Sequence, residues 1–182
     1  MTVALLIVDV QNDYFPGGAM EVVGATAAGT QAAKLLAAFR RRARPVIHVR
    51  HISVRAGATF FLPDTVGAQI HESVHPVFDE PIFQKHYPNS FRETSLLDHL
   101  RSTNITGLVI AGMMTHMCID TTTRAAADLG LTCFLAHDAC ATRALSFNGV
   151  QVPADSVQTA YLAALNGLFA KVMSAGELCG DL

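Results

Sequence analysis

An uninterrupted apolar run near the start of the chain sets the strongest limit on the fold. Residues 3–8 (VALLIV) are all aliphatic, and the run ends at a carboxylate, Asp9. A strand with one face in solvent alternates apolar and polar residues, whereas a strand buried on both faces is apolar throughout. Residues 107–111 (GLVIA) have the same character. Both runs therefore predict central strands of a parallel sheet that is covered on its two faces.

The rest of the chain alternates between strand and helix patterns. Strands are predicted over 3–8, 45–50, 81–85, 107–111, 131–136 and 170–173. Helices are predicted over 24–42, 94–102, a segment that begins at Cys118, and 153–169. Single helices between strands imply right-handed crossovers, and hence a three-layer α/β/α sandwich with a mainly parallel, Rossmann-like sheet of about six strands. With no internal repeat or linker, residues 1–182 are expected to form a single domain.

Composition limits the partners. About 51% of the residues are hydrophobic and 15% are charged, which favours a covered sheet and further burial in a homo-oligomer, a dimer or higher. A net charge of −2 with only short arginine clusters argues against nucleic-acid binding. No apolar run is long enough to cross a bilayer, so no membrane partner is expected. The chain leads directly into a strand without a signal-peptide pattern, which predicts a cytoplasmic location.

Three reactive side chains fall at the carboxyl ends of predicted strands. They are Asp9, Lys85 and, after a turn that starts at Gly112, Cys118. Open α/β sheets bind ligands just beyond these strand ends. At the start of a helix, the unpaired N–H groups and the helix dipole favour a thiolate at Cys118 and could hold an oxyanion. The alternative reading of Cys118 is a small buried residue at a strand–helix junction.

Together these segments resemble the isochorismatase-like cysteine hydrolase superfamily, which includes nicotinamidases and N-carbamoylsarcosine amidohydrolases. The resembling segments are LLIVDVQNDYF (5–15), FQKHYPNSF (83–91), GMMTHMCIDTTTRAAADLG (112–130) and DACATR (138–143). The resemblance implies that Cys118 is a nucleophile, Asp9 a general acid and base, and Lys85 the third catalytic residue. It also implies a cis peptide bond between Met113 and Met114, with an oxyanion hole made by the backbone N–H groups of Met114 and Cys118.

The implied reaction is hydrolysis of an amide or carbamoyl-type C–N bond in a small molecule, through a thioester on Cys118. Loops near the strand ends are expected to supply the substrate contacts, with Phe15, Gln11, Tyr87 and Phe91 as candidates. No cofactor is expected.

The chain departs from the nicotinamidase pattern where those enzymes bind metal. They carry Asp-x-His and a further histidine after the second strand, whereas this stretch reads HVRHISVRAG and offers only His48 and His51. His71 and His75 are four residues apart and could share a helix face, but no neighbour fixes a ligand geometry. A site without metal is therefore predicted. A metal-dependent nicotinamidase-like amidase, a non-enzymatic binding or scaffold protein, and a thiol redox sensor remain as alternatives.

Overall fold

Six parallel strands form the central sheet in the computed structural model, which describes residues 1–77 and 79–181. The strands of the chain are Val3–Val8 (β1), Val46–His51 (β2), Ile82–Lys85 (β3), Gly107–Met113 (β4), Thr132–Ala141 (β5), Leu145–Phe147 (β6), Val150–Val152 (β7) and Lys171–Met173 (β8). The sheet order is β3-β2-β1-β4-β5-β8, and β6 and β7 form a separate antiparallel hairpin. The predicted α/β sandwich with a six-stranded parallel sheet is confirmed.

Helices cover both faces of the sheet. They are Ala25–Arg41 (α1), Leu96–Ser102 (α2), Asp120–Asp128 (α3), Ala154–Leu165 (α4) and Ala175–Asp181 (α5). α1 and α5 contribute to one buried cluster, and α2, α3 and α4 contribute to the other. Among the described residues, no helix has both the length and the apolar character needed to span a membrane.

The apolar run of β1 explains why the sheet has a core on each side. Leu5 and Ile7 pack into the cluster beneath α1, and Leu6 and Val8 pack into the opposite cluster. All four side chains are at most 2% exposed. Burial of each such side chain contributes about 1.5–3 kcal/mol, so β1 holds the two helical layers together.

Two strands are longer than the sequence predicts. Their last residues include small or polar side chains, which are not typical of a buried strand. β4 continues to Met113, and β5 continues through His137 and Asp138 to Ala141. These extensions pair with each other, Met113 with Ala141, after a register shift in which β5 carries the extra residues. The paired ends support the turn that carries Cys118. The segment 137–152, where the sequence predicts neither strand nor helix, therefore contains the end of β5 and the β6–β7 hairpin.

Candidate active site

The sheet brings Asp9, Lys85 and Cys118 together at its carboxyl edge. The Lys85 Nζ lies 2.6 Å from Asp9 Oδ2 and 3.1 Å from Cys118 Sγ. Asp9 and Lys85 are fully buried, and Cys118 is 5% exposed. Asp9 follows β1 and Lys85 ends β3, and β2 lies between these two strands in the sheet. The structure therefore brings together the three side chains that the sequence places at the ends of parallel strands.

Asp9 occupies an unusual backbone conformation directly after β1. Its φ is +53°, in the left-handed region that aspartate and asparagine enter more readily than most residues. Its N–H donates to the Val49 carbonyl at 2.9 Å, so the turn remains attached to β2. Oδ2 receives the Lys85 hydrogen bond, but no described residue donates to the buried Oδ1. One oxygen of this carboxylate is therefore available to accept a proton or a further donor.

Lys85 uses its whole donor capacity. Besides Asp9 and Cys118, its Nζ contacts His51 Nδ1 at 3.0 Å. An ammonium group has three N–H donors, so the three contacts saturate it. Burial alone would lower the pKa of Lys85, but the negative charges and hydrogen bonds of Asp9 and Cys118 outweigh burial and raise it. Lys85 is therefore a permanent cation at this site.

A tight turn between β4 and α3 positions Cys118. Gly112 has a φ of +132°, and a Cβ at this position would collide with the Val8 carbonyl, so the close approach of β4 to β1 requires glycine. The peptide bond between Met113 and Met114 is cis. Thr115–Ile119 then form one π-helical turn, with Cys118 as its fourth residue, before α3 begins. Cys118 thus lies within a π-turn and not in the first turn of a regular helix.

The end of β5 holds this turn in place. The Thr115 hydroxyl donates to the Ala141 carbonyl at 3.2 Å. The His116 Nδ1 lies 2.6 Å from the Thr142 hydroxyl, in the segment DACATR. The two contacts link the residues just before Cys118 to the last residue of β5 and to the residue that follows it.

The surroundings of Cys118 oppose the thiolate that the start of a helix was expected to favour. Burial, followed by the neighbouring Asp9 carboxylate, raises the pKa of the thiol well above its usual value, and Lys85 offsets only part of this rise. A thiolate would add a second anion to a buried site that already holds Asp9 and has one cation. Burial and the Asp9 charge therefore favour the thiol form of Cys118.

Two of the predicted substrate contacts have other roles. Gln11 is fully buried: its Oε1 accepts from the His51 N–H at 2.7 Å, and its Nε2 donates to the carbonyls of His51 and Ala68. With both amide donors engaged, Gln11 is a structural clamp on the end of β2. Phe15 lies against Gly29 of α1 and stacks on the His71 ring at 3.5 Å, so it belongs to the core.

Tyr87 and Phe91 remain candidates for substrate contact. Both are half-buried. Phe91 packs against the buried cluster that contains Cys118. The Arg92 guanidinium lies 3.6 Å above the Tyr87 ring, which fixes one face of that ring.

Two further residues lie beside the site: Tyr14, which the sequence did not single out, and His51, which it suggested only as a possible metal ligand. His51 ends β2, and the strand-end rule that identified Lys85 would have found it. Tyr14 is 2% exposed and packs on Phe61 with ring centroids 4.6 Å apart. Burial raises the pKa of Tyr14, and the charges of Cys118 and Asp9 add to the rise, so the phenol lies within their electrostatic field. Its position within the segment LLIVDVQNDYF was the available signal.

The possible metal ligands do not fit an additional cation. Within residues 1–77 and 79–181, one group of three donors is close enough to share an ion, namely Asp9, His51 and Cys118, whose donor atoms lie within 4.8 Å of one another. The Lys85 ammonium already contacts all three. A metal ion in their midst would displace this cation or repel it.

The other histidines do not form the suggested pairs. His71 and His75 flank the short 3₁₀ turn Glu72–Val74, and do not share a helix face. The His71 Nδ1 accepts the Ser73 N–H, while His75 is exposed. His48 is buried and bonded to Glu80, so it does not join His51.

Comparison with known proteins agrees with this geometry. A family model for the isochorismatase domain matches residues 3–177. The chain is 48% identical, over 94% of its length and 96% of the relative, to the uncharacterized isochorismatase family protein YddQ of Bacillus subtilis. It is 34% identical to a streptothricin hydrolase of Streptomyces noursei over 76% of this chain and 49% of that enzyme.

Solved structures give the same relationship. The crystal structure of an isochorismatase hydrolase homologue from Oleispira antarctica superimposes with a TM-score of 0.95 at 52% identity, covering 98% of this chain and 96% of the other. An isochorismatase from Pseudomonas putida superimposes with a TM-score of 0.90 at 32% identity, covering 96% and 89%. The chain therefore belongs to the isochorismatase family of hydrolases.

Proposed function

We propose that this protein hydrolyses an amide or carbamoyl-type C–N bond of a small molecule, with Cys118 as a covalent nucleophile and no metal ion. The observation that carries the proposal is the Lys85 ammonium shared between the Asp9 carboxylate and the Cys118 sulfur, at 2.6 and 3.1 Å. A buried cation between an acid/base group and a thiol stabilises whichever of the two is negative. This is the arrangement that nucleophilic catalysis with proton transfer requires.

The resting site is electrically balanced. It contains the Asp9 carboxylate, the Lys85 ammonium and the Cys118 thiol, with a net charge of zero. Loss of the thiol proton to solvent would leave an unpaired buried anion, which is costly. Transfer of that proton to Asp9 keeps the net charge at zero. The thiolate is therefore formed inside the site, when substrate is bound, and the unpartnered Asp9 Oδ1 is the acceptor.

The acylation step follows from this transfer. Cys118 Sγ gives its proton to Asp9 and bonds to the substrate carbonyl carbon, whose oxygen becomes an oxyanion. The backbone N–H groups of Met114 and Cys118 are the proposed donors to that oxygen. Asp9 then gives the proton to the departing nitrogen, the C–N bond breaks, and a thioester on Cys118 remains.

Deacylation uses the same groups. Asp9 takes a proton from water as the water oxygen attacks the thioester carbonyl. The carbon–sulfur bond breaks, the acid product leaves, and the proton returns from Asp9 to Cys118. Lys85 stays protonated throughout and offsets the charge that moves between oxygen and sulfur.

Small substrates suit the site, because its three reactive side chains are almost fully covered. The relation to a streptothricin hydrolase supports hydrolytic chemistry, and amides, ureas and carbamoyl compounds are the classes to screen. Tyr87 and Phe91 are the proposed aromatic contacts.

The test compares Cys118→Ala with Cys133→Ala, which changes a buried cysteine of β5 outside the site. Both proteins and the wild type are screened against small amides, ureas and carbamoyl compounds, with intact-mass detection of acyl adducts after acid quenching. We expect turnover and an adduct on Cys118 in the wild type and in Cys133→Ala, and neither in Cys118→Ala. Turnover that survives Cys118→Ala would overturn the proposal, and loss of turnover with a chelator would overturn its metal-free part.

A further inference from the structure

We propose that His51 is a positioning residue of this site: as a neutral imidazole it accepts the third hydrogen bond of Lys85 and thereby aims the ammonium at Asp9 and Cys118. This inference rests on the proposed function for its catalytic consequence. The contact that carries it is the 3.0 Å distance between His51 Nδ1 and Lys85 Nζ.

Chemistry fixes the state of the imidazole. Lys85 is a donor only, so His51 Nδ1 must be the unprotonated nitrogen and Nε2 must carry the hydrogen. A protonated His51 would lose this acceptor and would set a second cation against Lys85. Burial, followed by the Lys85 charge, lowers the pKa of His51 to about 4, so the ring is neutral near neutral pH.

The backbone of His51 is held as firmly as its ring. Gln11 accepts the His51 N–H at 2.7 Å and donates to the His51 carbonyl at 2.9 Å. Its second amide hydrogen goes to the Ala68 carbonyl at 2.8 Å. The buried Gln11 therefore fixes the last residue of β2, which in turn fixes the Lys85 ammonium. This explains why a glutamine beside the site has no donor left for a substrate.

Without the third acceptor, the Lys85 side chain can rotate away from the sulfur. The flexible lysine stem has many rotamers, and three contacts select one of them. The charged or titratable groups that face His51 are Lys85, Asp9, His86 and Cys118. Loss of the His51 contact should therefore weaken the influence of Lys85 on the thiol, and the thiol should ionise less readily.

The test replaces His51 with Leu, which keeps an apolar volume without an acceptor, and with Asn, whose Oδ1 lies near the former Nδ1. His137→Asn, at an exposed position on β5, is the matched control. We expect His51→Leu to slow iodoacetamide alkylation of Cys118 about tenfold, the effect of one unit in the thiol pKa on the thiolate fraction. His51→Asn should restore alkylation, and kcat should fall in His51→Leu with little change in KM. Alkylation of Cys118 in His51→Leu at the wild-type rate would overturn the inference.

A second measurement needs no variant, and it decides the question if His51→Leu fails to fold. The ¹⁵N and ¹H resonances of the His51 imidazole in the wild type report its charge and tautomer at neutral pH. A neutral ring with hydrogen on Nε2 is expected, and an imidazolium or an Nδ1–H tautomer would overturn the inference. The two proposals fail separately: turnover that survives Cys118→Ala removes the proposed function, whereas these resonances and alkylation rates judge His51 alone.

Discussion

Two clusters of similar composition lie along β2, but the carboxylate of one is fully hydrogen-bonded and that of the other is not. The active-site cluster consists of Asp9, His51, Lys85 and Cys118. The Glu80 cluster consists of Arg40 of α1, His48 and Glu80. Each contains a carboxylate, a cation and a histidine of β2, with His48 and His51 three residues apart. Composition alone therefore does not separate a structural cluster from a reactive one.

The difference is in how many acceptor positions are filled. Both Glu80 oxygens are engaged: Arg40 donates to each at 2.7 Å, and His48 and the Val77 N–H also donate to Oε2, at 3.0 and 3.1 Å. In the active-site cluster Asp9 Oδ1 has no donor among the described residues, and a thiol lies beside it. A saturated carboxylate stabilises the fold, whereas an unsaturated one next to a nucleophile can move a proton.

The largest expected effect is a loss of activity when the carboxylate of the active-site cluster is replaced. Asp9→Asn removes the proton acceptor without changing side-chain size, so turnover should fall about 10³-fold, within the range for loss of general acid–base catalysis. Steady-state kinetics on the best substrate of the screen checks this. Activity near the wild-type level would show that Asp9 is structural, like Glu80.

The matched change in the other cluster should affect stability instead. Glu80→Gln removes the charge that pairs with Arg40 while keeping the side-chain shape, and should lower the free energy of unfolding by about 2–3 kcal/mol. Urea denaturation measures the loss, and kcat should stay close to the wild-type value because Glu80 does not contact the active-site cluster. A large loss of kcat with unchanged stability would reverse the two assignments.

Lowering the pH should remove the stabilisation by the Glu80 carboxylate from the wild-type protein. Burial alone would raise the pKa of Glu80, but hydrogen bonds from Arg40, the Val77 N–H and His48 lower it from 4.5 to about 2. Above pH 4.5 the carboxylate is ionised in both folded and unfolded chains, so its stabilisation is complete. Between pH 4.5 and 2 the unfolded chain takes up the proton first, and up to about 3 kcal/mol of stability is lost. Denaturation midpoints across this range should fall more steeply in the wild type than in Glu80→Gln; equal slopes would contradict the assignment.

The smallest effect concerns geometry within the Glu80 cluster. Arg40→Lys keeps the charge but loses the two-pronged contact with Glu80 and the 2.8 Å hydrogen bond to the His75 carbonyl. The Arg40 side chain is 33% exposed, so solvent screens the pair and the loss should be only about 0.5–1 kcal/mol. Thermal denaturation checks the value, with Arg41→Lys, an exposed neighbour on α1, as control. Equal thermal stability of the two variants would mean that the paired hydrogen bonds from Arg40 to Glu80 contribute nothing to stability.

Much of the fold and the central part of the site follow from the sequence. The apolar runs of β1 and β4 predict buried parallel strands, and the strand-end rule then places Asp9, Lys85 and Cys118 at one edge. These inferences need only the pattern of residues within short, continuous segments of the chain. The same rule applied to β2 would have included His51 in the site.

The features that the sequence does not reveal depend on contacts between distant segments. Gln11 and Phe15 follow Asp9 in sequence, but Gln11 bonds to residues 40 and 57 positions away and Phe15 stacks on His71. The Cys118 thiol was expected to follow the helix dipole, yet its pKa is set by burial and by Asp9, more than a hundred residues earlier in the chain. The end of β5 is not evident in the sequence because His137 and Asp138 interrupt its apolar pattern, although pairing with β4 resumes at Cys140.

The most direct test of the account is an equilibrium titration of the Cys118 thiol. Thiolate ultraviolet absorbance is followed with pH in the wild type and in Asp9→Asn, and the signal of the matching Cys118→Ala protein is subtracted from each. We expect a thiol pKa above the ordinary value of 9.0 in the wild type and a lower one in Asp9→Asn, because that variant lacks the neighbouring anion. A wild-type thiol that ionises below 9.0, or a pKa that rises in Asp9→Asn, would contradict a resting thiol that gives its proton to Asp9.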